Sequence, residues 1–154
     1  MNQKNFEKLI PIALDVLNND EEIKRNLINE DNSIDSTYFS YIDSFVPAAR
    51  LSGLLLTLQY YKTHKPKTSN TEDNNPNPSK HSREKIYYLF SLVLKKSELL
   101  PGLSNDNDIY DFYNANRSDS VKKIIIRNRL VETATACKYA IKSFEKKSDK
   151  EDEG

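Results

Sequence analysis

Glycine is almost missing from this chain: there are three in 154 residues. A loop that cradles phosphates with its backbone needs a glycine-rich turn, and none can be assembled here. Cysteine is scarcer still, with Cys137 alone, so no internal disulfide can form. A lone cysteine fits a reducing compartment and a buried, small apolar role. Two histidines, His64 and His81, flank a polar stretch rather than converging with other ligands, so metal ligation is not expected. No apolar run approaches the roughly 20 residues that cross a bilayer. The opening "MNQKNFEKLI" has no basic region followed by a long apolar stretch. Together with a mean hydropathy of −0.73, this leads us to expect a polar, cytoplasmic protein without a membrane partner. Carboxylate pairs such as Glu21/Glu22 lie in a polar stretch and read as a solvated face. No catalytic residue, cofactor or metal is expected, and so no enzyme.

Net charge is also zero, with 23 Lys/Arg against 23 Asp/Glu, but the charge is segregated. Residues 1–46 hold four basic and nine acidic residues, 47–147 hold eighteen and ten, and 148–154 hold one and four. A basic body thus sits between an acidic head and an acidic tip. Such asymmetry suits an anionic partner or contact between like subunits, and it also arises from chance clustering on a solvated surface.

The apolar spacing is helical almost throughout. Phe6, Leu9, Ile10, Ala13, Val16 and Leu17 fall at steps of three and four. Pro11 either starts or kinks that helix, and 21–28 could extend it. "NEDNS" reads as a loop and Ser36 as the N-cap of the next segment. Pro47 predicts a fresh helix rather than a kink. From Ala48 onward Leu51, Leu54, Leu55, Leu56 and Leu58 go nearly all the way round, which predicts burial on most sides. "HKPKTSNTEDNNPNPSKHS", residues 64–82, is proline-broken and almost without apolar residues, and predicts a mobile or disordered loop. A helix resumes with Ile86, Leu89, Phe90, Val93 and Leu94 on one side, and "DIYDFYNANR" is a short helix or turn. The last helix is expected from about Ser118 to Lys147, with an apolar stripe of Ile126, Leu130, Ala134, Cys137, Ile141 and Phe144. The expectation is an all-α bundle of about five or six helices in one domain over 1–147, with a frayed acidic tail over 148–154.

At about 100° per residue, Lys123, Arg127, Lys138 and Lys142 share one arc of the last helix with Val131 and Ile124. A cationic band with apolar members suits a phosphate backbone or an acidic protein surface, although a Lys-rich helix also simply presents a solvated face. Gly53 stands in the most apolar run, where glycine costs about 1 kcal/mol relative to alanine. Ala49 and Gly53 are four apart on one helical face. They predict a packing notch inside the bundle or a contact point for a neighbouring subunit. Arg50 beside them is either a snorkelling surface residue or a phosphate contact, and Lys62, near the far end of that helix, is a further basic candidate.

Three blocks carry a resemblance. "YFSYIDSFVPAARLSGLLLTLQYY", "REKIYYLFSLVLKKSELLPG" and "RNRLVETATACKYAIKSFEKK" are similar, in order and spacing, to segments of the small-subunit family of type III-B CRISPR effector complexes, the Cmr small subunits. The matching features are Tyr38 and Tyr41, Pro47, Gly53 and Leu54, then Glu132, a small-residue stretch, Tyr139 and Lys142. The resemblance implies a non-catalytic helical subunit. It would stack with copies of itself and with other subunits along the filament, and would help bind the target RNA strand. The type III-A small subunit is an alternative reading, and a helical adaptor with only protein partners is another.

Overall fold

The computed structural model describes residues 2–64 and 81–148. Apart from its flanks, the loop expected over 64–82 lies outside these residues, as does all but Ser148 of the acidic tail expected over 148–154. The described residues form the expected all-α protein, but with seven helices rather than five or six and one short parallel pair of strands, because Asp20 and Gly53 each divide a stretch into two helices.

Helix α1 (Gln3–Asn19) starts on Asn2, whose side chain accepts from the amides of Lys4 and Asn5. Pro11 neither starts nor ends it. The ring is on the solvent side, so the acceptor left over by the missing N–H faces water. Asp20 then ends α1 and caps α2 (Glu21–Leu27), its carboxylate accepting from Ile23 N, so 21–28 does not extend the first helix. A turn leads into strand β1 (Ser33–Asp35).

Helix α3 (Ser36–Ser52) begins with Ser36 inside and Asp35 as the N-cap, one residue earlier than expected. It runs unbroken through Pro47, which is again exposed. The restart predicted at Pro47 occurs six residues later, at Gly53, which closes α3 and opens α4 (Leu54–Thr63). This corrects the packing-notch reading. Gly53 has φ 90° and ψ 153°, a backbone region open essentially to glycine alone, and nothing lies within 4 Å of where a Cβ would stand. Glycine is there to turn the chain, not to admit a close neighbour within the fold. The turn also undoes the all-round burial expected after Ala48: Leu54, Leu58 and Tyr61 are buried, while Leu51 is 88% and Leu56 61% exposed.

Helix α5 (Arg83–Ser97) has its expected face of Ile86, Leu89, Phe90, Val93 and Leu94 fully inside. Phe90 meets Phe45 of α3 edge to face at 5.1 Å, and Phe45 meets Tyr61 of α4 at 5.2 Å. Aromatic pairs of this kind add about 0.5–1.5 kcal/mol beyond the area they bury. After α6 (Ile109–Asn116), Asp119 caps α7 (Ser120–Ile141) by accepting from Val121 N and Lys122 N. The whole predicted stripe of the last helix is buried, from Ile126 to Phe144. Helix α1 packs along α7 and α5, and α3 packs on α4 and on another side of α7.

The last helix does not reach Lys147. Three tight turns carry the chain from Tyr139 to Phe144, and Glu145–Lys147 forms β2, parallel to β1 with Ile34 opposite Lys146.

The two accounts of Gly53 predict different mutational series. If the backbone angle is what matters, Gly53→Ala costs about 1–3 kcal/mol. Gly53→Leu then costs about as much, because no neighbour stands in the way. Thermal or urea denaturation of both variants checks this. A cost that climbed steeply with side-chain size would restore the notch.

Candidate nucleic-acid interface

Helix α7 is used on several sides. Its core face is apolar, and its orientation is fixed by a buried acid. Glu132 is 1% exposed, and its carboxylate accepts from Asn2 N at 2.9 Å, Asn5 Nδ2 at 3.4 Å and Arg129 Nη1 at 2.6 Å. A buried carboxylate is tolerated only when its oxygens are satisfied, and here the first turn of α1 satisfies them together with Arg129. The donors from Asn2 and Asn5 also sit at the positive end of the α1 dipole.

On the side facing α3, the two helices leave an open groove of about 750 Å³. Ile42 and Val46 of α3 and Val131 and Ala134 of α7 supply its apolar lining, and Arg50, Arg127 and Lys138 supply its charge. Three of the six basic residues expected from the sequence are therefore brought together, although Arg50 and Arg127 lie 77 positions apart in the chain. Lys138 Nζ sits 3.7 Å from Asp43 Oδ1. Arg50 and Arg127 are exposed, and neither has an ion-pair partner among the described residues. Ala49 lines the same groove, while Gly53 does not.

The other three basic residues divide. Lys123 is exposed one turn before Arg127, and Lys142 lies one turn past Lys138 with Nζ 5.1 Å from the Tyr139 ring centroid. Both flank the groove without lining it. Lys62 belongs elsewhere. Its Nζ bonds Asp108 Oδ2 at 2.9 Å and lies 5.3 Å from the Tyr110 ring. It ties α4 to α6 and is not grouped with the other cations. Among the polar lining residues, sequence reasoning missed Asp43, Asn128 and Thr135, and it singled out Tyr139 only as a feature of the resemblance. Tyr139 was within reach, since at 100° per residue it falls beside the basic arc. Asp43 was not, because only the packing of α3 brings it there.

The histidines have partners that hold the fold. His81 Nε2 lies 2.8 Å from Asp35 Oδ2, and His64 Nδ1 accepts from Arg83 N at 3.0 Å. Arg83 stacks over Tyr41 and Tyr60 at 4.3 and 4.8 Å, so the end of α4 is fastened to the start of α5. Among the described residues no group of three or more His, Cys, Asp or Glu side chains converges to hold a metal, and no helix is long and apolar enough to cross a membrane. Cys137 is buried, and that burial pushes its thiol well above the ordinary range. No family model, no curated protein and no solved structure matches this chain.

Asp108 is the hub beneath Lys62. Its carboxylate accepts from Lys62 Nζ, from Tyr87 Oη and from Asp111 N. Burial pushes its pKa up, but the bonds from Tyr87 and Lys62 outweigh burial and hold it below the usual carboxylate value. The bond to Asp108 in turn raises Lys62, against burial, which lowers it. A depressed carboxylate contributes stability above its unfolded value and loses it as the pH falls through the folded one. A raised lysine contributes stability below its unfolded value and loses it as the pH rises through the folded one. Asp108→Asn should therefore lower Tm at neutral pH, with the gap from the parent protein closing below about pH 4. Melting curves across that range check it, and a gap that persisted at acid pH would show that the charge of Asp108 is not what stabilises the hub.

Proposed function

We propose that this protein is a non-catalytic RNA-binding subunit of a type III-B CRISPR ribonucleoprotein, working in the cytoplasm and stacked beside other subunits and copies of itself. The observation that carries the reading is the α3–α7 groove, where Arg50, Arg127 and Lys138 stand along a cleft of mixed apolar and polar lining. Support also comes from where the resembling blocks fall. The first spans most of α3 and α4, and the third spans α7 from Arg127 onward together with β2, so both walls of the groove fall within the two outer blocks of the resemblance. The middle block builds α5, the buried centre. A polyanion would meet guanidinium and ammonium groups at the rim, with Lys123 and Lys142 extending the cationic track along α7. Asp43, 3.7 Å from Lys138, tempers the field. Net charge near zero makes binding by the isolated chain weak and strongly salt-dependent, and neighbouring subunits would raise it.

The test neutralises the two unpaired arginines together, Arg50→Gln with Arg127→Gln. Assembly into the complex and Tm are measured first, then target-RNA affinity at several salt concentrations. The expected result is an intact complex with weaker binding. The slope of log K against log salt should be shallower by about 1.4, at about 0.7 for each single-strand phosphate that is no longer neutralised. Failure to assemble with unaltered RNA binding would instead favour a purely protein-directed adaptor. Unchanged assembly and affinity would leave the groove a solvated face.

A further inference from the structure

The groove also holds an exposed aromatic side chain, which phosphate binding does not require. Tyr139 lines it twelve residues beyond Arg127, about 18 Å along α7, and it is 53% exposed. An exposed tyrosine in a helix otherwise packed on several sides leaves apolar surface in water. This ring is nevertheless held in place. The Phe6 ring of α1 meets it edge to face, with centroids 5.4 Å apart and planes at 76°. Lys142 Nζ lies over it at 5.1 Å. The ring is thus oriented, partly open, and bracketed by Lys138 and Lys142.

We propose that Tyr139 is a stacking platform for an unpaired nucleobase, so that the groove selects single-stranded nucleic acid rather than polyanions in general. This inference rests on the RNA-binding reading of the same groove. An oriented π-face next to cations is the arrangement that holds single strands, because every base presents a face to stack and no hydrogen-bond match is needed. A ring already fixed by Phe6 loses little freedom on binding. Lys142 has a flexible stem, so its ammonium yields the face to a base while staying beside the following phosphate. A paired base inside a duplex offers no free face here. The platform also leaves sequence unread, since stacking tolerates every base.

The test compares two ligands on the full chain at low salt: a uridine RNA of about twelve nucleotides and an abasic ribose-phosphate chain of the same length. Binding is followed by fluorescence anisotropy, and folding by thermal melts. The wild-type protein should bind the uridine RNA about tenfold more tightly than the abasic chain. Tyr139→Leu keeps an apolar contact for Phe6 but has no π-face. It should remove that preference without altering the salt slope, while Tyr139→Phe keeps it. Equal binding of both ligands by the wild type, or a preference that survives in Tyr139→Leu, overturns the platform. If the Arg50→Gln, Arg127→Gln protein binds both ligands as the wild type does, or the wild type binds neither, the groove reading itself has failed. If the arginine variant weakens both ligands while Tyr139→Leu changes nothing, only the platform has failed.

Discussion

The arrangement turns on Glu132. A carboxylate buried in α7 must find donors, and it finds them in the backbone of Asn2, the side chain of Asn5 and the guanidinium of Arg129. The bonds from Asn2 and Asn5 fix the rotation of α7 about its own axis relative to α1, and the bond from Arg129 satisfies the carboxylate from within α7. With that angle set, the Ile126 to Ile141 stripe faces the core and the Arg127 to Lys138 arc faces α3. A rotation of α7 by a quarter turn would bury cations and expose leucine and alanine. Breaking a buried charge pair on one side costs about 3–5 kcal/mol, a large share of the roughly 5–15 kcal/mol that keeps a domain folded.

Helix α3 supplies the other wall, and its length depends on two residues with opposite habits. Pro47 sits on the exposed side, where the missing N–H and the freed carbonyl are tolerated, so α3 continues past it. Gly53 then stops the helix with a backbone angle that other residues resist. Between them lie Ala49 and Arg50, one small enough to leave the groove open and one charged at its rim. The segregated charge of the chain thereby becomes a local feature. The basic central region contributes Arg50, Arg127 and Lys138, and the acidic head contributes Asp43 as a single counter-charge.

Much of this was legible in the residues. The apolar stripes of α1, α5 and α7 are local periodicities, and every residue of the predicted last stripe is inside. The basic arc was legible for the same reason, since angles along one helix follow from spacing alone. What was not legible depended on partners distant in sequence. Nothing in "SID" and "EKK" announces a strand pair across more than a hundred residues, and three-residue strands carry too little pattern to see. Lys62 looked like the other lysines until Asp108 and Tyr110 were placed beside it. Gly53 was misread because its rarity drew attention to its size, whereas its φ is what the fold uses.

The central claim is that a single RNA strand lies between α3 and α7, and amide chemical-shift mapping tests it most directly. A uridine RNA titrated at low salt into isotopically labelled protein should shift the amides lining the groove. Arg50, Arg127, Lys138 and Tyr139 should move together and saturate with one affinity. Shifts centred instead on Lys62, Asp108 and Tyr110, or spread evenly over every exposed lysine, would contradict the account.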